Sequence, residues 1–445
     1  MKRYFWKSLS KAERRAALDR PARDDVTRVL DSVRAIVDDV RANGDEAVAR
    51  WTQKFDGYFG PIARVDASAF DAAEQSLGRD LLEALDAAIA NVTAFHREQL
   101  RESIRVETAP GVVCERVTVP IQRAGLYVPG GRASLPSTVY MLGVPSGLAG
   151  CPIRVLCTPP RPDGSVDPAI LVAARKCGID TVFPIGGAQA IAAMAYGTAT
   201  VPKCDKLFGP GNRYVDAAKQ LVALDADGPA IDLPAGPSEV LVIADASASP
   251  AFVAADLLAQ AEHDTIAQCI LVTTSEALAD RVDDEIRNHL VELRGSAAVA
   301  SIDNGRSIVV ASLDEAVDVA NDCAPEHLII NTENPESIVD RITTAGSIFV
   351  GPWTPEVLGD YCSGTNHVLP TGGAARAHSG LSVESFQRTM TIQRASRAGF
   401  DRLAPIASAL AQAEGLAAHA NAIRVRTDGS AGVATQSSTE VASNA

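Results

Sequence analysis

From about residue 125 onward, the sequence alternates short apolar segments with alanine-rich segments, and glycine-rich turns separate them. RVLCTPP is typical of a strand, PAILVAARKCG of a helix, DTVFPIGG of a strand and AQAIAAMAYGT of a helix. Strands that alternate with helices are joined by crossovers, which bring successive strands into one mostly parallel sheet. The alternation therefore predicts an α/β protein.

A second series of the same kind begins near Ser238. It comprises the strand SEVLVIAD, the helix PAFVAADLLAQAEHD and the strand QCILVTT, and it continues past EHLIIN to GSIFVG. Residues from about Asp24 to Leu100 show the spacing of amphipathic helices, and helical spacing returns from about Ser382. The last residues are small and polar, which predicts disorder. We therefore predict two α/β blocks between helical ends.

Length and charge limit the classes of function. A chain of 445 residues is long enough for two or more domains. Its formal net charge of −14 argues against a nucleic-acid partner and suits a cationic or zwitterionic small substrate. The eight cysteines form no CxxC pair, which is typical of a reducing compartment. The sequence shows neither a signal-peptide core nor a membrane-length apolar run.

The segment APEHLII places Glu326 and His327 side by side, just before an apolar strand. Adjacent residues on a strand point to opposite sides, so we expect them not to act as one hydrogen-bonded pair. A histidine can take a proton near neutral pH, and a carboxylate can activate water. The dipeptide indicates two separate catalytic roles, and a strand-edge ion pair is the alternative.

Three further polar pairs lie in unusual stretches: Gln260 with His263, Asp360 with His367, and Glu414 with His419. Taken singly, they are also compatible with a polar helix end, an Asx-type turn with a surface histidine, and a solvated helix face. Together they offer imidazole, carboxylate and amide oxygen, a mixed ligand set that suits a divalent ion such as zinc. We therefore predict a metal site.

No GxGxxG motif is present, so the usual dinucleotide fingerprint is absent. Three glycine-rich turns lead from strand to helix instead: YVPGGRASLPS (127–137), PIGGAQAIA (184–192) and FGPGNRYVDAA (208–218). Each can present backbone amides to a phosphate, and each can equally be a tight turn. Their number in one block favours a nucleotide site without excluding tight turns.

Read in order, eight blocks resemble the histidinol dehydrogenase family: GLYVPGG, FPIGGAQAIAA, FGPGN, DLPAGPSE, DLLAQAEHD, APEHL, GDYCSGTNHVLPT and EGLAAHA. The resemblance runs from about residue 25 to 426. It implies a cytoplasmic enzyme that oxidises L-histidinol to L-histidine through the aldehyde, with two NAD, as the last step of histidine biosynthesis.

The resemblance also implies roles for individual residues. His327 is the implied general base and Glu326 the implied activator of water. One zinc ion per subunit is implied, with four ligands: Gln260, His263, Asp360 and His419. The implied NAD contacts are Tyr127, Gln189 and Asn212. The implied substrate contacts are Ser238, Gln260, His263, His327, Asp360, His367, Glu414 and His419.

The implied fold has two incomplete Rossmann-like domains with parallel sheets and small helical segments at both ends. The expected boundaries are an N-terminal helical segment (1–24), a catalytic domain (25–126 and 238–381), an NAD-binding domain (127–237), a C-terminal helical domain (382–426) and a disordered tail (427–445). A homodimer is implied, in which Glu414 and His419 reach the partner's active site. Partners other than the small substrate and the second subunit, such as a nucleic acid or a membrane, are not expected.

Three alternatives remain at this point. A dehydrogenase of the same superfamily, acting on another small polar alcohol, would keep the metal and base residues; Glu414, a plausible partner for a cationic amine, favours histidinol. A zinc-dependent hydrolase would use Glu326 without redox chemistry, and the three turns disfavour it. A non-enzymatic binding module would leave Glu326 and His327 unexplained.

Overall fold

The computed structural model describes residues 1–20, 26–130, 134–233, 236–291, 293 and 296–429. Contacts divide the chain into two compact units. Unit 1 contains residues 1–100 and 120–387, and unit 2 contains residues 101–119 and those from 388 onward. The tail that we predict to be disordered lies outside the described residues from position 430.

The described strands are β1 (Lys2–Phe5), β2 (Ile104–Ala109), β3 (Val112–Pro120), β4 (Arg123–Tyr127), β5 (Ile153–Thr158), β6 (Thr181–Pro184), β7 (Lys206–Phe208), β8 (Ala230–Ile231), β9 (Glu239–Ala244), β10 (Gln268–Thr273), β11 (Arg306–Val309), β12 (His327–Asn331), β13 (Ser347–Val350) and β14 (Gln387–Ala395).

The described α-helices are α1 (Lys11–Leu18), α2 (Val26–Asp56), α3 (Ala67–Ser76), α4 (Arg79–Arg97), α5 (Pro136–Leu148), α6 (Pro168–Lys176), α7 (Gly187–Tyr196), α8 (Arg213–Ala223), α9 (Pro250–Ala261), α10 (Glu276–Leu290), α11 (Ala297–Asp303), α12 (Leu313–Cys323), α13 (Glu336–Val339), α14 (Glu356–Tyr361), α15 (Arg397–Ala413) and α16 (Ala417–Asp428).

The first sheet of unit 1 has the strand order β1-β11-β10-β9-β12-β13, and all its pairs are parallel. Every residue of β9, β10 and β12 is buried. Val240 and Val242 face a core with α9, α10 and α11, whereas Leu241 and Ile243 face a core with α12. Helices therefore cover both faces of the sheet, which explains its continuous apolar strands.

The second sheet of unit 1 has the order β6-β5-β4-β7-β8, and its pairs are also parallel. Helices α3 to α6 contribute to the core on one face, and α2, α7 and α8 contribute to the core on the other. Its first strand along the chain, β4, lies in the middle. The two sheets confirm the predicted α/β fold with parallel sheets and helical segments towards both ends.

Unit 2 contains the three-stranded sheet β14-β3-β2 and the helices α15 and α16. Strand β14 lies in the segment for which helix is predicted, and β1 likewise lies in the segment 1–24. Neither strand contains a buried residue, and neither shows an alternation of buried and exposed positions. Pairing with distant strands, and not local pattern, forms them.

Candidate active site

Glu326 and His327 lie at the amino end of β12, next to the amino end of β9. Helix α12 ends at Cys323. The next residue, Ala324, has a φ of 51° and is the one non-glycine residue of positive φ among those described. Such a conformation costs energy for an L-residue with a side chain, and strained residues cluster at functional sites. The turn at Ala324 brings Glu326 to the start of the strand.

The backbone of Glu239 holds both neighbours. Its N–H donates to Oε2 of Glu326 at 2.9 Å, and its carbonyl oxygen accepts from Nδ1–H of His327 at 3.1 Å. The Glu239 carboxylate is fixed in turn by two bonds from Arg20, at 2.5 and 2.9 Å, and by the N–H of Gly372 at 2.9 Å. One anchored residue therefore orients both proton-transfer groups.

The Glu326 carboxylate lies 3.8 Å from Nδ1 of His327, which is too far for a hydrogen bond. The expectation that they do not form a hydrogen-bonded pair is confirmed. The expectation that they point to opposite sides is wrong, because Glu326 precedes the strand and sits in the turn that begins at Ala324. The two groups lie side by side.

The amide of Gln260 is fully buried, and two neighbouring acceptors favour one of its two orientations. With its nitrogen towards the carbonyl oxygen of Glu239 at 3.2 Å and Oε1 of Glu356 at 2.8 Å, the amide can donate to both, whereas an oxygen in that place would face these two acceptors. The amide oxygen is then left on the opposite side of the amide group. This oxygen is available as a ligand.

His263, Glu356 and Asp360 form a cluster whose possible ligand atoms all lie within 4.8 Å of one another. Helix α9 ends at Ala261, so His263 lies in the following turn. Gln260, in contrast, lies within the last turn of α9. Glu356 is buried one turn before Asp360 in α14.

Sequence reasoning missed Glu356. The spacing of four residues to Asp360 is the one local signal that could have indicated it.

Burial shifts the pKa of four ionisable groups in this site. It raises the pKa of the Glu326 and Glu356 carboxyls well above their ordinary range, with neighbouring carboxylates adding to the effect. It raises the pKa of Asp360 to about 6 and lowers that of His327 to about 3. Closely packed buried carboxyls that share no cation are costly as anions, and a divalent ion would relieve that cost. The residues therefore fit a metal.

His367 links this site to the second sheet. Its Nδ1–H donates to the carbonyl oxygen of Asp360 at 2.8 Å, and its Nε2 lies 3.3 Å from the hydroxyl of Thr138 in α5. Burial lowers the pKa of His367 to about 4, so the ring is neutral near pH 7. Ser238 is partly buried immediately before β9. Both lie in unit 1 with Glu326 and His327.

Glu414 and His419 belong to unit 2. Glu414 follows the last residue of α15, and His419 lies in α16; both side chains are exposed. The candidate metal and catalytic residues within unit 1 are thus Gln260, His263, Glu326, His327, Glu356 and Asp360.

The residues proposed for NAD lie at the carboxyl edge of the second sheet and the helices that follow it. Tyr127 ends β4, and its buried hydroxyl accepts from the N–H of Gly187 at 3.0 Å. Gln189 is buried in the first turn of α7. The side-chain oxygen Oδ1 of Asn212 caps α8 by accepting from the backbone N–H groups of Tyr214 and Val215, at 3.0 and 3.2 Å. Its capping role is structural and leaves the amide nitrogen to a ligand.

The turn at Gly209 requires glycine. Its φ is 120°, and a Cβ there would lie 2.1 Å from the carbonyl oxygen of Tyr127. Asp232 accepts from the N–H of Gly209 at 2.8 Å and forms a fully buried ion pair with Lys219, which also donates to the carbonyl of Gly209 at 3.0 Å. Tight-turn chemistry therefore accounts for this glycine.

The sequence model described as histidinol dehydrogenase matches residues 19–427. The chain belongs to the histidinol dehydrogenase family. The histidinol dehydrogenase of Xanthomonas euvesicatoria pv. vesicatoria (strain 85-10) is 54% identical over 427 residues, which are 96% of this chain and 99% of that protein. The histidinol dehydrogenase of Vibrio parahaemolyticus serotype O3:K6 is 47% identical over 429 residues, with coverages of 96% and 99%.

A crystal structure of histidinol dehydrogenase from Elizabethkingia anophelis has the same fold. It matches with a TM-score of 0.90 and 42% identity, and the match covers 97% of this chain and 99% of that one. The predictions of the histidinol dehydrogenase family and of an oxidoreductase enzyme are confirmed. Within the described ranges, no helix is both long and apolar enough to cross a membrane.

Proposed function

We propose that this chain catalyses the last step of histidine biosynthesis, the oxidation of L-histidinol to L-histidine through histidinaldehyde, with two NAD and one zinc ion per subunit, in the cytoplasm. Membership in the histidinol dehydrogenase family supports the reaction. The observation that carries the mechanism is the double anchor at Glu239, which orients Glu326 and His327 beside a cluster of metal-ligand side chains.

Gln260, His263 and Asp360 would hold the zinc, together with His419. The amide oxygen of Gln260 suits this role because the amide nitrogen already donates to Glu356 and to the Glu239 carbonyl. When bound, zinc would hold the imidazole and amino nitrogens of the substrate and supply positive charge to the buried carboxylates. Ser238, His367 and Glu414 would complete the substrate contacts.

His327 would act as the base in both oxidations. Its Nδ1–H is used by the Glu239 carbonyl, so Nε2 is the nitrogen that can take a proton. Burial lowers the pKa of the ring, which keeps it in the neutral form that accepts protons. In the first step, Nε2 would take the hydroxyl proton of histidinol. The carbon that bears this hydroxyl would lose a hydride to NAD, which gives the aldehyde and NADH.

Glu326 would serve the second step. Its carboxylate would take one proton from water as the water oxygen bonds to the aldehyde carbon. The protonated His327 would give its proton to the carbonyl oxygen, which yields the hydrate and returns the imidazole to its neutral form. The hydrate then loses a hydroxyl proton to His327 and a hydride to a second NAD, leaving histidine and a second NADH. The raised pKa of Glu326, caused first by burial, makes it a stronger base than an ordinary carboxylate.

Tyr127, Gln189 and Asn212 would contact NAD. The fit rests on unpaired polar atoms at this edge: the buried side-chain oxygens of Gln189 and Thr158 have no partner within the described residues. Thr158 ends β5, next to β4. A bound dinucleotide can satisfy such atoms.

The active enzyme would be a homodimer in which Glu414 and His419 act in the partner's site. Mixing two inactive variants, His327→Ala and His419→Ala, tests this arrangement after dissociation and reassociation. Heterodimers would have one intact site and one doubly defective site, so a random mixture should regain about a quarter of wild-type activity. If both residues acted within one chain, every site would keep a defect and no activity would return.

The substrate is tested by comparing NADH formation with L-histidinol and with a panel of other small polar alcohols, at equal zinc loading. Histidinol should give the highest kcat/KM. A higher value for another alcohol would move the function to a sister dehydrogenase, and hydrolysis without any NADH would indicate a zinc hydrolase. The Glu414→Gln variant should lose preference for the amine-bearing substrate.

A further inference from the structure

The second sheet of unit 1 has the strand order of a dinucleotide-binding half, in which the first strand lies in the middle and the second and third follow on one side. In that fold, an acidic residue just after the second strand accepts a hydrogen bond from the adenosine ribose. Here the second strand, β5, is followed by Pro159, Pro160 and Arg161. The next carboxylate, Asp163, is bound to the N–H and hydroxyl of Ser165. The usual acid is therefore missing.

Asp56, the last residue of α2, supplies a carboxylate at the same edge. A Cβ placed on Gly186 would lie 2.7 Å from the ring of Pro159 and 3.2 Å from Oδ1 of Asp56. The carboxylate and the residue after β5 thus border the same glycine turn. Oδ2 of Asp56 accepts from Nε2 of Gln189 at 3.3 Å. The carboxylate therefore lies beside a proposed NAD contact.

Several features leave room and hydrogen-bonding capacity for a ligand. The buried Oε1 of Gln189 and the buried hydroxyl of Thr158, which ends β5, lack a partner within the described chain. Gly130 also faces Pro159, since a Cβ there would lie 3.0 Å from its ring. Bare glycine backbone on two sides of Pro159 permits close approach by a dinucleotide.

The charges at this edge favour binding of a ribose that carries a free hydroxyl over one that carries a phosphate. Asp56 forms no salt bridge with any residue in the described ranges, and burial raises its pKa to about 6. Arg161, the first cation after β5, is paired with Asp167 at 2.5 Å. A phosphate next to Asp56 would therefore meet a like charge, and the first arginine after β5 is already engaged in an ion pair.

We propose that Asp56 accepts a hydrogen bond from the 2′-hydroxyl of the adenosine ribose of NAD and excludes NADP. The inference rests on the proposed NAD-dependent function. Selectivity for the cofactor would then depend on Asp56 at the end of α2. Gln189 orients the Asp56 carboxylate through its hydrogen bond to Oδ2.

Calorimetric titration of three cofactors into the zinc-loaded full-length protein tests the inference. They are NAD, NADP and 2′-deoxy-NAD, in which the adenosine ribose lacks its 2′-hydroxyl. A lost hydrogen bond to a charged acceptor weakens binding by about 10-fold or more. The wild type should therefore bind 2′-deoxy-NAD at least about 10-fold more weakly than NAD. Asp56→Ala should bind NAD and 2′-deoxy-NAD equally, and Asp56→Asn should bring the affinity for NADP to within about 10-fold of that for NAD. Asp163→Asn is the matched control and should keep the wild-type preference.

The experiment separates two kinds of failure. If the wild type binds NAD and oxidises histidinol but discriminates neither 2′-deoxy-NAD nor NADP, the role of Asp56 is overturned while the proposed function stands. If the wild type does not bind NAD, the proposed function itself fails. Unchanged selectivity in both Asp56 variants also overturns the inference. The deoxy-cofactor comparison uses the wild type alone, so it decides the matter even where a variant does not fold.

Discussion

Replacing Glu356 by leucine should weaken zinc binding strongly, although Glu356 is not one of the proposed ligands. Its Oε1 accepts from the buried Gln260 amide at 2.8 Å and so keeps the amide oxygen free for the metal. A hydrogen bond to a charged group contributes about 1.5–3 kcal/mol, which corresponds to a change of about 10- to 150-fold in Kd. Loss of an outer partner of a metal ligand has effects of about this size.

Glu356→Gln is the matched control because it keeps an accepting oxygen at nearly the same place. If Glu356 only positions Gln260, the zinc Kd of this variant should stay within about 3-fold of wild type. Competition between each apo-protein and a chelating dye gives the Kd, and circular dichroism shows whether the variants are folded. A leucine variant with wild-type affinity would refute the reasoning. Equal losses of zinc affinity in both variants would also refute the reasoning, because they would indicate that Glu356 binds the zinc directly.

Three further results are expected. His327→Ala should abolish both oxidations, whereas Glu326→Ala should spare histidinol oxidation more than histidinaldehyde oxidation; equal losses in separate assays of the two half-reactions would contradict the division of roles. Chelation should remove activity and added zinc should restore it, and a fully active metal-free preparation would count against the metal site. Burial raises the pKa of Asp56 to about 6, above that of aspartate in the unfolded chain. Ionisation of the Asp56 carboxyl therefore lowers the free energy of unfolding above pH 6, and has little effect at pH 4, where the folded protein keeps it protonated. Asp56→Asn should therefore raise the free energy of unfolding at pH 8 by about 1 kcal/mol, after allowance for partial exposure, with no gain at pH 4; denaturant titrations at both pH values measure this.

The sequence predicts the α/β fold because its strands are buried on both faces and its helices are amphipathic or alanine-rich. Strands such as β9 and β10 are continuous apolar runs bounded by turn residues, so their pattern is local. Strands β1 and β14 lack such a pattern and depend on pairing with β11 and β3. Local periodicity cannot indicate pairing of that kind.

The candidate site is predictable only in part, for a similar reason. Glu326, His327 and Asp360 lie in unusual short stretches, so their residue types draw attention. Glu356 and Asp56 look like ordinary polar helix ends, and their importance depends on distances to Gln260 and Gln189, far away in the chain. Only the folded chain reveals those distances.

The most direct test of the proposed function is the number of NADH formed per L-histidinol, with histidinol limiting and NAD in excess. A four-electron oxidation in which Glu326 and His327 divide the work predicts about two NADH for each histidinol consumed, with histidine as the product. A yield of about one NADH, with histidinaldehyde accumulating, would contradict the account, because the second oxidation would then be absent.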